Sequence, residues 1–206
     1  MKKHASKIVA LVLSLCMMVC MSATAFAAEI TTDGGNGSTP VSLSSTKDGT
    51  IGGDPTPTAM RVTLPTSLPM AMSQDGVVTT ATDAKIENLS YGAVRVKSVT
   101  ISAAENWTLT AYGSPNTLAS AKVDSNQLGF AIRIGGGTQA VTTANNTDTQ
   151  ALISTPISGC YMTGVGDLTG NCVAVEYAAI VTPLSNAVTN ATVANVVFVV
   201  EWDIAA

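Results

Sequence analysis

The chain has 206 residues, of which 46% are hydrophobic, 12% charged and 4% aromatic, and this length fits one domain or two very small ones. Its 14 acidic residues outnumber its 10 basic ones, and an acidic surface repels a phosphate backbone, which argues against a nucleic-acid partner. The single histidine is His4, so Ser-His-Asp triads, imidazole bases and histidine-ligated zinc are excluded from the rest of the chain.

Residues 1–27 are predicted to be a secretory signal peptide. The segment opens with a positive region made by Lys2, Lys3 and Lys7. An apolar run follows at 8–21, and Ala25-Phe26-Ala27 supplies the small-x-small cleavage pattern. The run is shorter than the roughly 20 residues that span a bilayer as a helix. We therefore expect an exported protein that has no membrane partner after cleavage.

Residues 28–57 are predicted to form a flexible arm, because Gly, Asn, Asp and Pro cluster at 33–38 and again at 52–57. Between these clusters Val41-Ser42-Leu43 alternates, which makes it an edge-strand candidate. Two roles stay open for Val41 and Leu43. They either pair within their own domain or add as a strand to a neighbouring copy.

Residues 58–206 are predicted to form one all-β domain. The segment is rich in Thr and Val, which suit a pleated, half-buried surface, and turn residues recur at short intervals. Apolar and polar residues alternate, in chain order, at 60–64, 68–72, 77–82, 84–89, 94–101, 107–111, 128–134, 173–181 and 196–204. The pattern predicts a two-layer antiparallel β-sandwich, Ig-like or jelly-roll-like, with about nine or ten strands.

Three segments carry further local information. In the strand at 94–101 the apolar phase slips by one residue at Lys97-Ser98, and a β-bulge is the natural repair. Residues 114–121 are irregular, and Pro115 suits the first position of one helical turn. The last strand is apolar on both faces at its centre, around Phe198, which is typical of a strand in the interior of a sheet.

Two cysteines, Cys160 and Cys172, flank the glycine-rich loop 161–171. An even pair of thiols in an exported chain predicts a disulfide, which would stabilise the fold by about 3 kcal/mol. Two separate thiols are the alternative. A reactive thiol is disfavoured because no basic neighbour would lower its pKa.

Catalytic and metal-binding interpretations are weaker than structural ones. Glu201 and Asp203 lie two apart on one strand, where a carboxylate pair could serve a glycosidase, but their outward phase favours a solvated surface. Asp167 and Asn171 do not follow the spacing of a calcium loop and fit ordinary turn chemistry. We predict no catalytic residue, no metal, no cofactor and no enzymatic activity.

Two Trp-x-aliphatic triplets carry a family resemblance: Trp107-Thr108-Leu109 in mid-domain and Trp202-Asp203-Ile204 near the end. Their placement resembles the WxL domains of Gram-positive surface proteins, which implies a secreted β-rich module bound non-covalently to peptidoglycan. The second triplet has Ile in place of Leu. The stretch Lys85-Ile86-Glu87-Asn88, followed by Val-rich strands, is more loosely similar to exported matrix and fibre proteins of the TasA–camelysin type. Packing of both tryptophans in the core is the alternative interpretation.

The function expected from these features is that of a non-enzymatic, secreted cell-surface or extracellular-matrix protein with a structural or adhesive role. Its partners would be the cell wall, other surface proteins or further copies of itself. The alternative is a module that binds peptidoglycan or another glycan. An exposed aromatic ring would then act as a stacking platform, and the candidates are Tyr91, Tyr112 and Tyr161.

Overall fold

A computed structural model describes residues 41–144 and 149–205. The predicted signal peptide and residues 28–40 of the predicted arm lie outside the described residues. The chain divides into two compact units, the first ending at Pro55 and the second beginning at Thr56.

The described part of the first unit contains a turn and one bridge. Thr46 forms an isolated antiparallel bridge with Pro55, and the intervening Gly49 and Gly52 adopt positive φ angles of 74° and 82°. Val41 and Leu43 are 99% and 95% exposed, and the backbone around them is not in a strand. Their apolar side chains are therefore presented to solvent.

The second unit contains twelve strands in its described residues. In chain order they are β1 (Val62–Thr63), β2 (Met70–Met72), β3 (Val78–Thr80), β4 (Lys85–Asn88), β5 (Val94–Ala103), β6 (Thr108–Thr110), β7 (Gln127–Ile134), β8 (Ala140–Val141), β9 (Thr149–Ile153), β10 (Tyr161–Met162), β11 (Cys172–Val181) and β12 (Ala194–Trp202). A single 3-10 turn spans Pro115–Leu118, which confirms the predicted helical turn with proline at its start. No helix in the two described ranges is long and apolar enough to cross a bilayer.

The strands form two main sheets. The larger has the order β1-β4-β11-β7-β6, with β8 also pairing β7, and the smaller has the order β10-β5-β12, with β9 also pairing β5. Strands β2 and β3 form a separate hairpin. Inward side chains of both main sheets build one apolar cluster, for example Ile86, Val96, Ile132 and Val175. The predicted all-β sandwich is confirmed.

Strand number and direction differ from the expectation in two respects. The described residues contain twelve strands and not nine or ten. The strands that were not predicted are β8 and β10, which are only two residues long, and β9, whose apolar residues 151–153 are consecutive and do not alternate. Among the described strands, all pairs are antiparallel except β6 with β7, which run parallel. Parallel neighbours need a crossover, and residues 111–126, which include the 3-10 turn, supply it.

The bulge predicted at Lys97-Ser98 is confirmed. Val200 of β12 pairs with Val96 of β5, whereas Val199 pairs with Ser98, so Lys97 is the extra residue of β5. The insertion restores the inward phase, because Val96 and Val99 are both completely buried.

The interpretation of the last strand as interior is wrong. β12 pairs with β5 alone among the described strands and therefore lies at an edge of the smaller sheet. It also ends at Trp202, and Ile204 lies beyond it with 74% of its surface exposed. Apolar residues on both faces of β12 do not mean that both faces are buried. Val197 and Val199 point outward and are 53% and 42% exposed.

Candidate interaction surface

The free edge of β12 is the longest strand edge in the described part of the domain. β12 has nine residues, whereas the strands at the other edges of the two main sheets have two to five. Natural sheets protect their edges by keeping edge strands short or by placing Pro, Lys or a bulge in them. β12 contains no Pro or Lys, and the bulge opposite it belongs to β5. The β12 edge is thus open to pairing.

The register shows which backbone groups of β12 point away from β5. The Ala104 amide donates to the Val193 carbonyl and the Asp203 amide donates to the Ala93 carbonyl, both at 3.0 Å. Residues of an antiparallel strand alternate between hydrogen-bonded and non-hydrogen-bonded positions. The odd-numbered residues of β12 therefore direct their backbone N–H and C=O groups toward β5. The even-numbered residues direct their backbone N–H and C=O groups away from β5, toward the free edge. These residues are Ala194, Val196, Phe198, Val200 and Trp202.

The side chains along this edge are apolar on both faces. On the inner face Val196, Phe198 and Val200 pack against the core but remain only partly buried. On the outer face Val197 and Val199 are exposed. Backbone groups without a strand partner and apolar side chains therefore occur together, which is the chemistry that recognises another β-strand.

Charged side chains lie together at the carboxyl end of the β12 outer face. Arg95 Nε lies 2.9 Å from Glu201 Oε1, and Lys97 Nζ lies 2.9 Å from Glu201 Oε2. Arg95 Nη1 also lies 3.4 Å from Asp203 Oδ1. Hydrogen bonds from Lys97 and then Arg95 lower the pKa of Glu201 below its usual range. These contacts give both acids roles as ion-pair partners in the folded protein.

The three tyrosines that are candidates for glycan stacking occupy different positions. Tyr161 of β10 is 47% exposed and pairs with Arg95, which in turn pairs with Glu201, so one cross-strand row combines an aromatic ring with charged groups. Tyr91 is 85% exposed in the loop before β5. The Tyr112 amide bonds to the Thr142 carbonyl beside the larger sheet, and its side chain is half-buried.

The two Trp-x-aliphatic triplets have different environments. Leu109 is completely buried and Trp107 packs partly against the core. Trp202 also packs partly against the core, and its ring covers Gly92, where an added Cβ would come within 3.0 Å of Trp202 Cζ3. Ile204 is exposed. Both tryptophans and Leu109 thus contribute to core packing, while Ile204 does not.

The two cysteines are free thiols in the structure, so the predicted disulfide is not formed there. Cys160 is completely buried in the apolar core. Cys172 begins β11, where Val173 and Val175 point into the core, so its side chain lies on the outer face. Strand alternation therefore separates the two sulfur atoms. Burial raises the pKa of the Cys160 thiol, which makes it a poor nucleophile.

We expect a thiol titration of the non-reduced protein lacking residues 1–27 to find both cysteines unbridged. In denaturant, Cys160 and Cys172 should both react with a thiol reagent. In the native protein Cys160 should react only on unfolding, because it is completely buried. A Cys172→Ser variant serves as the matched control and should leave one titratable thiol. Absence of reactive thiol before reduction would contradict the arrangement of β11.

Asn88 is a buried polar residue whose structural role was not predicted from the sequence. Its side-chain amide donates to the carbonyls of Gly92 (2.9 Å) and Thr163 (2.7 Å), and its side-chain oxygen accepts from the Ser90 amide (2.8 Å). Asn88 is completely buried and so connects the turn before β5 to the loop after β10. The burial of Asn88 could have been predicted from the sequence, because a residue two positions after the inward-pointing Ile86 on the same strand also points inward.

A second surface region, on the larger sheet, is a shallow depression lined by Arg133, Gln139, Glu176, Tyr177 and Ala178. Arg133 and Glu176 form an ion pair across it. Within residues 41–144 and 149–205, no group of three or more His, Cys, Asp or Glu side chains is placed to hold a metal ion. The β12 edge is therefore the surface with the most distinctive chemistry.

No family model, no curated protein and no solved structure matches the chain.

Proposed function

We propose that this is a non-enzymatic structural or adhesive protein of an extracellular surface or matrix, which assembles through the free edge of β12. The observation that carries the proposal is the nine-residue strand, apolar on both faces and unpaired along one side in the described structure. The signal peptide predicted at residues 1–27 supports export. The resemblance to WxL and TasA–camelysin-type proteins supports a location at or near a Gram-positive wall.

The physical basis is the cost of an unprotected edge. Long apolar edge strands promote association with other chains, so folded monomers usually avoid them. An added strand satisfies the outward N–H and C=O groups, and alternate side chains decide which strand is accepted. A protein that works by assembly has a reason to keep such an edge.

The test is to express the full chain in a secreting Gram-positive host and to follow it by fractionation and electron microscopy. We expect the protein outside the cell, in particles larger than a monomer. The Val197→Lys/Val199→Lys variant should be secreted as smaller species, because two charges replace the apolar outer face of β12. The matched control is Val141→Lys, since Val141 is also 42% exposed but lies on the two-residue strand β8. Retention inside the cell, or a monomer at every concentration, would contradict the proposal.

Strand addition by the predicted arm is a second route to the same function. Val41 and Leu43 are almost completely exposed, and two apolar residues spaced by two fit the pockets along a sheet edge. Deletion of residues 28–57 separates the routes. Loss of filaments or larger particles in the deleted protein would assign assembly to the arm, and their persistence would assign it to the folded domain.

Glycan binding is the second candidate function, favoured by the row that joins Tyr161 to Arg95 and Glu201. An exposed aromatic ring beside charged hydrogen-bonding groups suits a sugar, which presents an apolar face and hydroxyl groups together. Co-sedimentation with purified cell walls tests it. Tyr161→Ala should then sediment less than the parent protein, whereas Tyr112→Ala should sediment like it. Equal sedimentation of all three proteins would exclude Tyr161 as the platform.

A further inference from the structure

The β12 edge is self-complementary. We infer that two copies of the protein pair antiparallel along β12 about a two-fold axis at Phe198, an inference that rests on the proposed function and names the partner as a second copy of this chain. The backbone register, the side chains on each face and the placement of the charges all favour this pairing.

The backbone register permits this pairing. The outward N–H and C=O groups belong to the even-numbered residues of β12, and antiparallel hydrogen-bonded pairs must join such residues to each other. A two-fold axis at Phe198 pairs Phe198 with itself, Val196 with Val200 and Ala194 with Trp202. Each pair exchanges two hydrogen bonds, so the interface would contain about ten.

The side chains agree with the same register. On the outer face Val197 of one copy lies opposite Val199 of the other, so the two exposed valines cover each other. On the inner face the partly buried Val196 and Val200 lie opposite each other, with a Phe198–Phe198 contact at the centre. Aromatic and β-branched cross-strand pairs are among the more stabilising pairs in antiparallel sheets.

The charges also favour this register. It places Glu201, the single charged residue of β12, opposite Asn195 of the second copy, and the two glutamates lie at opposite ends of the interface. A shift of the axis to Val200 would put Glu201 against Val199 and bring the two glutamates closer together. A shift to Val196 would pair Val200 with Thr192, which lies outside the strand. The axis at Phe198 joins the most apolar residues and separates the acids.

The test is a register-specific cross-link in a Cys172→Ser background, with Cys160 left buried. In the proposed register Phe198→Cys meets itself, and the Cα separation of about 5.5 Å in a hydrogen-bonded pair suits a disulfide. Val196→Cys faces Val200 of the second copy and is the matched control. We expect mild oxidation to convert most of the Phe198→Cys protein into a covalent dimer and little of the Val196→Cys protein.

A second variant tests the edge without a cysteine. The Val200 amide points away from β5, so Val200→Pro removes no hydrogen bond from the existing sheet but blocks pairing along the free edge. Analytical ultracentrifugation should show the parent protein shifting from monomer to dimer with concentration and Val200→Pro remaining monomeric. A circular dichroism spectrum unchanged from the parent would show that the variant is folded.

The other outcomes separate this inference from the proposed function. Cross-linking of Val196→Cys in place of Phe198→Cys would overturn the register. Association that survives Val200→Pro in a folded protein, with neither cysteine cross-linking, would overturn the β12 interface but leave assembly through the arm, which deletion of residues 28–57 then tests. A parent protein that is monomeric at every concentration, with or without the arm, would overturn both.

Discussion

Replacement of Asn88 with alanine is expected to lower the free energy of unfolding by about 3–5 kcal/mol. The substitution removes three hydrogen bonds and leaves the carbonyls of Gly92 and Thr163 and the amide of Ser90 without their buried partner. Each unsatisfied buried group costs about 1–3 kcal/mol, and the cavity adds to the loss. Urea unfolding followed by circular dichroism measures the effect.

The matched control is Asn186→Ala. Asn186 is exposed and bonds only to its neighbour Ser185 in the described structure, so the free energy of unfolding should change by less than about 0.5 kcal/mol. Asn88→Asp extends the test, because a carboxylate cannot donate to two carbonyls and would place a charge in the core. A stability loss for Asn88→Ala no larger than that for Asn186→Ala would show that Asn88 is not the buried link between the two loops.

Replacement of Gly159 with alanine is expected to cost more than about 3 kcal/mol, whereas Gly136→Ala should cost about 1–2 kcal/mol. Both glycines have positive φ angles, 92° and 73°, so both substitutions carry the conformational cost of a left-handed residue. A Cβ at Gly159 would also collide with the Ile134 carbonyl oxygen, whereas a Cβ at Gly136 meets nothing within 4 Å. The difference between the two variants therefore reports mainly the collision with the Ile134 carbonyl oxygen, with a smaller part from the larger φ of Gly159.

Thermal unfolding of both variants checks this expectation, and Gly159→Ala should have the lower Tm. The collision involves backbone on both sides, so no side-chain rotation relieves it and the loop at 158–159 must move away from the turn at 135–137. Equal Tm values for the two variants would mean that the loop and the turn do not approach each other as closely as the structure has them.

Local alternation was sufficient to predict most of the strands that pack against the core, but not β9 and β10, which contribute Ile153 and Met162 to it. The alternation of apolar and polar residues identified the longer strands, and the single phase slip located the bulge at Lys97-Ser98. These features follow from backbone geometry, since each residue in a strand points opposite to its neighbours and an extra residue must be left unpaired. The helical turn at Pro115–Leu118 was predictable for the same reason, because proline restricts its own backbone.

The position of each strand within its sheet was not predictable in this way. β12 has the double-sided apolar pattern of an interior strand, yet it lies at the edge, because pairing partners come from residues distant in sequence. Whether the two cysteines can pair depends in the same way on the direction of each side chain in the folded chain. Cys160 and Cys172 are close in sequence, but one points into the core and the other lies on the outer face of β11.

The sequence alone therefore determined which side chains could be buried and, through charge and the lack of histidine beyond His4, which chemistry was excluded. Only the tertiary structure decided that the β12 edge is left without a partner in the described chain, that Asn88 connects two loops and that Tyr161 shares a row with Arg95 and Glu201. The physical reason is that burial preference is a property of each residue, whereas strand order arises from contacts between segments that the chain brings together on folding.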